Sequence, residues 1–182
     1  MARAPARTAP SFAQTLRETF LVNERMNQII LEHLDPRAWR AEPPGRGART
    51  IAAIFVHVHN IRRKWLRLSA PHIKLPAQLD RSLCTREQAR AALRQSARHC
   101  SEMIAEAFAI EGRVKQFHRD GWARPWPVGP SMVAYMIVHE AHHRGQVCML
   151  AHQLGYALPA KLTSEMWSWE RLWKECGFTL SY

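Results

Sequence analysis

Apolar residues recur at spacings of three and four through most of this chain, and that regularity leaves little besides α-helix for it to fold into. No segment alternates in the two-residue period of a half-buried strand, and of the 8 glycines all but Gly145 avoid the long periodic stretches. Phe12, Leu16, Phe20, Asn23, Asn27 and Ile30 form a mostly apolar stripe. It predicts a first helix from about Phe12 to Leu34, with Ser11 as N-cap and Asp35-Pro36 as its stop. Arg37 to Arg49, with Pro43-Pro44 and two glycines, reads as a linker. Thr50 caps a second helix to about Ser69, with Ile51, Ile54, Phe55, Val58, Ile61, Trp65 and Leu68 on its apolar side. Thr85-Arg86-Glu87-Gln88 has the form of a capping box and opens a third helix to about Ile110, where Gly112 serves as breaker. A fourth runs from about Ser131 to Leu154, just before Gly155. A short tail helix, about Thr163 to Cys176, carries Met166, Trp169, Trp173 and Cys176 on one side. The expected fold is all-α, a four-helix bundle with a short C-terminal extra helix. Residues 1–10 read as a flexible basic leader and 11–155 as the bundle. Residues 156–182 read as a tail packed on the bundle or on a dimer partner.

Composition narrows the function classes. A hydrophobic fraction of 47% argues against intrinsic disorder. No apolar run approaches the roughly 18–20 residues of a membrane span. The four cysteines, Cys84, Cys100, Cys148 and Cys176, are too widely spaced for a CxxC site, and reduced thiols in a cytoplasm are the plain expectation. Lys+Arg less Asp+Glu is 26 − 15 = +11, which raises the question of a polyanionic partner. Arg86, Arg90, Arg94 and Arg98 follow one another at i+4 as a cationic ridge, and Arg62, Arg63, Lys64 and Arg67 add charge on the second helix. No nucleic-acid motif accompanies them and no stacking aromatics are interleaved, so a solvated face is expected rather than a nucleic-acid partner.

Ten histidines are many for this length, and their positions carry the chemistry. His139 and His143 are i and i+4 in the middle of the apolar stripe of the fourth helix. Both imidazoles therefore share one inward face, the arrangement that metal-binding helices use. A third ligand must come from elsewhere. His57 continues the inner row Ile54, Ile61, Leu68, whereas His59 lies about 200° further round, toward a side expected to be polar. His57, His139 and His143 are therefore the expected metal ligands. His142 is expected beside them or exposed, and His33, His72, His99, His118 and His152 as surface residues. Cys148 lies about 140° round the helix from His143 and should not reach the metal. Trp65, Trp169 and Trp173 fall in apolar stripes, whereas Trp122 and Trp126 lie in a proline-rich loop that could roof the site.

The run Val138 to Val147, VHEAHHRGQV, resembles the HxxxHRGQ signature of the DinB/YfiT-like family of metal-dependent bundle proteins. Thr50 to His57, followed by Trp65-Leu66, is similar to that family's first histidine motif, and Gly155 to Pro159 with the Trp167–Lys174 region is similar to its tail. The likeness spans about residues 12–176. It implies a four-helix bundle with a three-histidine metal site, often a dimer, with nickel or zinc as the divalent transition metal. It also implies thiol-dependent transfer or isomerisation for some relatives.

His139-Glu140-Ala141-His142-His143 also reads as H-E-x-x-H, the zinc-protease form in which the glutamate is general base. The chain lacks the strands that normally accompany that helix, so the bundle reading stands ahead of it. The expected function is a mononuclear three-histidine metal protein, a thiol-dependent transferase or a metal-assisted hydrolase acting on a small molecule or low-molecular-weight thiol. Gln146 and Glu140 are the nearest polar residues that could orient a bound nucleophile, with Gln146 on the inner face and Glu140 at its edge. The rival is a non-catalytic module, either a basic nucleic-acid binder or a metal-stabilised dimerisation domain. The Trp-bearing tail, beyond what a core of this size needs, points to a homodimer.

Overall fold

The computed structural model describes residues 11–45, 47–109 and 130–178. The basic leader, Gly112, His118 and the Trp122/Trp126 loop lie outside them. Among the described residues the chain is all-helical: α1 (Phe12–His33), a 3-10 turn (Pro36–Ala38), α2 (Ile51–Ser69), α3 (Arg86–Ala109), α4 (Pro130–Gln153), α5 (Ala160–Glu165) and α6 (Trp169–Glu175). No strand is present among these residues.

Local chemistry sets the boundaries. The Gln14 N–H donates to Ser11 Oγ at 3.2 Å and the Ala53 N–H to Thr50 Oγ1 at 3.2 Å, so both expected N-caps satisfy an otherwise orphaned helical donor. The capping box of α3 is reciprocal: the Thr85 N–H donates to Gln88 Oε1 at 2.9 Å and the Gln88 N–H to Thr85 Oγ1 at 3.1 Å. At the end of α4, Gly155 turns left-handed at φ 79°. The Tyr156 N–H then reaches Ala151 O at 2.8 Å and the Gly155 N–H reaches His152 O at 3.0 Å, a Schellman closure that a side chain at 155 would strain.

Both α1 and α2 pack against α3 and against α4. One apolar cluster, with Ile30, Leu31, Ile51, Phe55, Leu93 and Val147, fills one end of the interior; a second, with Phe20, Trp65, Leu66, Ile104 and Met136, fills the other. The linker is anchored: Trp39 stacks on Phe55 with ring centroids 6.0 Å apart, and its indole N–H donates to Cys84 O at 3.0 Å.

Five expectations change on packing. The tail holds two short helices rather than one. Trp169, expected in the core, is 39% exposed, while Leu172 is fully buried and α6 packs on α1 of its own chain, with Arg25 paired to Glu175 at 2.8 Å. Phe12, at the free end of the α1 stripe, is exposed, because the stripe outruns the helices it packs on. The Arg86–Arg98 ridge is half engaged: the Arg86 guanidinium donates to Leu34 O at 2.6 Å and Arg90 pairs with Glu32 at 2.8 Å, while Arg94 and Arg98 are exposed. Arg62, read as part of a basic surface, is wholly buried.

Candidate metal centre

Helix α2 supplies His57, and two successive turns of α4 supply His139 and His143. The three ring centroids are 4.6–5.4 Å apart, and one nitrogen from each ring lies within 4.8 Å of the other two. His143 is buried and the other two are half-buried. Trp65 meets the His139 ring edge-on at 5.6 Å, and Tyr135 lies 6.1 Å from it. His139 is thus held between aromatic neighbours on the inner side.

Burial, then the neighbouring His143, Arg49 and Lys64, push the His57 imidazole down to about 4. Burial also lowers His143, against the pull of its bond to Gln146. Near neutral pH both rings are neutral and offer lone pairs, the form a metal needs. Gln146 settles which nitrogen is offered. Its amide oxygen lies 2.8 Å from His143 Nδ1 and its amide nitrogen 3.0 Å from His142 Nε2. With Nδ1–H donating to the amide oxygen, the lone pair of His143 falls on Nε2. Outer partners of metal-binding histidines act in this way. The donor set therefore fits a divalent transition metal: three imidazoles converging from two helices, two of them kept neutral by burial and one with its tautomer set by Gln146.

His59 is not on a polar side. It is fully buried, with Nδ1 3.2 Å from Ser96 Oγ and Nε2 2.8 Å from Ala77 O. The Pro71–Pro76 connection folds back along α2, where Arg63 Nε donates to Pro76 O at 2.7 Å and Asn60 bonds Leu79 in both directions. Both nitrogens of His59 are thereby engaged away from the triad. His142 is exposed beside His143, and Cys148 is not among the grouped ligands. Exposure of His33, His72 and His152 agrees with their expected surface placement, and His99 is half-buried.

Glu140 occupies a different environment from its neighbour His139. It is 1% exposed, and both carboxylate oxygens are engaged. Arg62 Nε and Nη2 donate to them at 2.7 and 2.6 Å, and the side-chain amides of Asn23 and Asn27 donate to Oε2 at 2.7 and 2.9 Å. The oxygens of the same two asparagines accept from Arg144 Nη1 at 2.8 and 3.1 Å. Arg62 also pairs with Glu24 at 2.6 Å and donates to Leu93 O at 2.9 Å, so one guanidinium ties all four long helices together. Although burial alone would lower it, Glu140 and Glu24 hold the Arg62 guanidinium above its ordinary value. Two carboxylates and two guanidiniums make this buried cluster neutral by formal charge. The residues Arg62, Glu24 and Arg144 carried no site assignment from sequence. The available signal was Asn23 and Asn27, two amides inside an apolar stripe.

Two clefts open beside the triad. The larger, about 800 Å³, is bounded by the linker and by α4, and His142, His143 and Gln146 line it. The smaller, about 390 Å³, is lined by His57, Asn60 and Asp80. Arg49 lines both. None of the described helices is long and apolar enough to cross a membrane.

The comparison with curated proteins gives no match. The DinB family model matches residues 10–171, so it takes in the helix that carries His57, the helix that carries His139 and His143, and the buried cluster between them. That extent covers nearly the whole chain, and the chain belongs to the DinB family.

Proposed function

We propose that this chain is a mononuclear metal protein in which His57, His139 and His143 hold a divalent transition metal, nickel or zinc, in a four-helix bundle. The observation that carries the reading is the convergence of three imidazoles from α2 and α4 within 4.8 Å, beside an open cleft. Three protein ligands are one fewer than a closed tetrahedral structural site uses, so a position is left for a small molecule. When bound, the metal supplies Lewis acidity, which polarises a carbonyl and lowers the pKa of a coordinated water or thiol. The chain's own residues do the rest. Gln146 keeps the His143 lone pair on Nε2. The neutral cluster around Glu140 fixes α4 against α1 and α2, and Glu140, with both oxygens engaged, receives no proton-transfer role. Thiol-dependent transfer or metal-assisted hydrolysis is the reaction class we assign, in the cytoplasm.

Metal analysis of untagged protein, purified without added metal, should give about one divalent ion per chain, as expected for a single three-histidine site. In the cobalt-substituted protein a low-molecular-weight thiol should produce a thiolate charge-transfer band. A spectrum unchanged by thiols, azide or pH would identify a closed structural site and end the catalytic reading.

We also propose a homodimer. The exposed face of α4 carries Ala134, Val138, Ala141 and Gly145 and no charged residue, so it suits close helix-to-helix contact with a second copy. Light scattering at micromolar concentration should give twice the chain mass, and Val138→Glu should return the monomer. A monomeric wild type rejects the assembly.

A further inference from the structure

The larger cleft is unusual in its charge. Of the residues that line it, Arg49 alone carries a formal charge, and Pro43, Pro44, Ile54, Met149 and Leu150 supply apolar wall. Several other arginines are engaged: Arg25, Arg37, Arg62, Arg90 and Arg171 pair with carboxylates, and Arg63 and Arg86 donate to carbonyls, while Arg94 and Arg98 stand on the open face of α3 away from either cleft. The Arg49 side chain has no ion pair or hydrogen bond among the described residues. A guanidinium presents its donors as a planar fork that matches a carboxylate, and here that fork stands at the junction of the two clefts.

The backbone holds Arg49 in place. Thr50 caps α2, and the Ala52 N–H donates to Trp39 O at 3.0 Å, so the chain around Arg49 is tied to a buried tryptophan. The N-terminus of a 19-residue helix adds its own positive field at this point. Its charge also bears on both His57 and His143. The neighbourhood is therefore positive even before a metal contributes, and within the larger cleft no acidic side chain offsets it. Of the two clefts beside the triad, Asp80 borders the smaller, with its Oδ1 accepting from the Ser82 N–H at 2.6 Å.

We propose that the larger cleft takes a small carboxylate-bearing ligand, its anionic end on Arg49 and its apolar body along Pro43, Pro44, Met149 and Leu150, beside the histidine triad. This inference rests on the metal-site reading for its chemistry and names the class of substrate for that site. The cleft volume suits a ligand of this size, since small-molecule sites commonly run from about 300 to 1,000 Å³. Arg49 is itself exposed, and on a wholly polar surface its fork would add little, because water competes for it. The apolar wall is what makes the arginine selective.

The test is calorimetric titration of zinc-loaded and metal-free protein with 3-phenylpropionate and with its neutral amide, metal content being measured on the same samples. The carboxylate should bind the wild type about tenfold more tightly than the amide, the scale of one charge-assisted hydrogen-bond pair. Arg49→Met should abolish that preference while leaving the amide and the zinc stoichiometry unchanged, and Arg49→Lys should restore part of it. Equal binding of the two probes, a preference that survives Arg49→Met, or no binding of either to the zinc-loaded protein overturns the proposal. If the chain takes up no zinc yet keeps an Arg49-dependent preference, the metal reading fails and the anion site stands.

Discussion

Helix α4 carries two i, i+4 pairs one residue out of step, His139/His143 and Glu140/Arg144, and the two meet opposite fates. About 100° of helix rotation separates them. The second pair faces α1, where Asn23 and Asn27 bridge it, and Arg62 closes the cluster from α2. Charges cancel there, and the Glu140 carboxylate is shared among three partner residues. The histidine pair faces His57 beside an open cleft, where three ring nitrogens converge with no protein cation or carboxylate grouped among them. A buried polar group left unmatched is expensive, so a cluster that satisfies itself serves stability. Lone pairs that converge at a partly exposed place serve binding instead. Neighbouring residues on one helix can thus divide the two tasks.

Substitution in the closed cluster should have the largest effect. Glu140→Ala leaves Arg62 and Arg144 in the interior with one carboxylate between them, and should cost about 3–5 kcal/mol in urea denaturation. A loss below about 1 kcal/mol, the range of exposed ion pairs, would dissolve the contrast. His59→Ala comes next, at about 1–3 kcal/mol, because it leaves the Ala77 carbonyl without the ring and removes one buried partner of the Ser96 hydroxyl, which keeps Leu93 O. Its metal content should be unchanged, as should that of His142→Ala.

His57→Ala and His143→Ala should invert that pattern. Each abolishes stoichiometric metal uptake while the metal-free protein loses no more than about 1 kcal/mol, since the triad is not an interior hub. Metal retained by either variant would break the ligand assignment.

Acid sharpens the comparison further. The folded His57 titrates at about 4, below the ordinary histidine value of 6.5. Between those values the unfolded chain binds the proton and the folded chain does not. The contribution to stability is therefore whole above pH 6.5 and is lost as pH falls toward about 4. Metal-free wild type should lose more stability over that window than His57→Ala does. Equal slopes in two denaturation series would show that His57 is not held neutral by the fold.

The smallest effect belongs to the exposed half of the arginine ridge. Replacing Arg94 and Arg98 by Ser should change stability by less than about 0.5 kcal/mol. Any retention on nucleic acid should fall steeply with salt and show no sequence preference. Tight binding of one sequence at physiological salt would contradict this.

Much of this was legible in the order of residues. Ser11, Thr50 and the Thr85–Gln88 box mark helix starts because capping involves groups three residues apart, and Gly155 marks an end for the same local reason. The triad was legible too, through the i, i+4 spacing on α4 and the apolar row that carries His57. Arg62 was not: its neighbours in sequence are Arg63 and Lys64, and a run of three cations resembles surface until partners from three other helices are seen. Glu140 misled in the opposite way, since its place beside His139 suggested the site while its phase took it to Asn23 and Asn27.

By itself, then, the sequence determined the helices and their ends, and it marked the histidines able to meet. Those properties depend on contacts within about one helical turn, and the chain carries them wherever the helix goes. The tertiary structure decided which sides of α2 are covered. A helix flanked by α3, α4 and a returning connection has no wholly polar side, so His59 is buried where periodicity placed it outward, and Arg62 becomes the center of a neutral cluster. It also decided where Arg49 stands, because the linker's position depends on Trp39 stacking on Phe55 rather than on any local preference of Pro43-Pro44. Burial and charge pairing are properties of assembled helices, and a periodic pattern in one helix does not contain its neighbours.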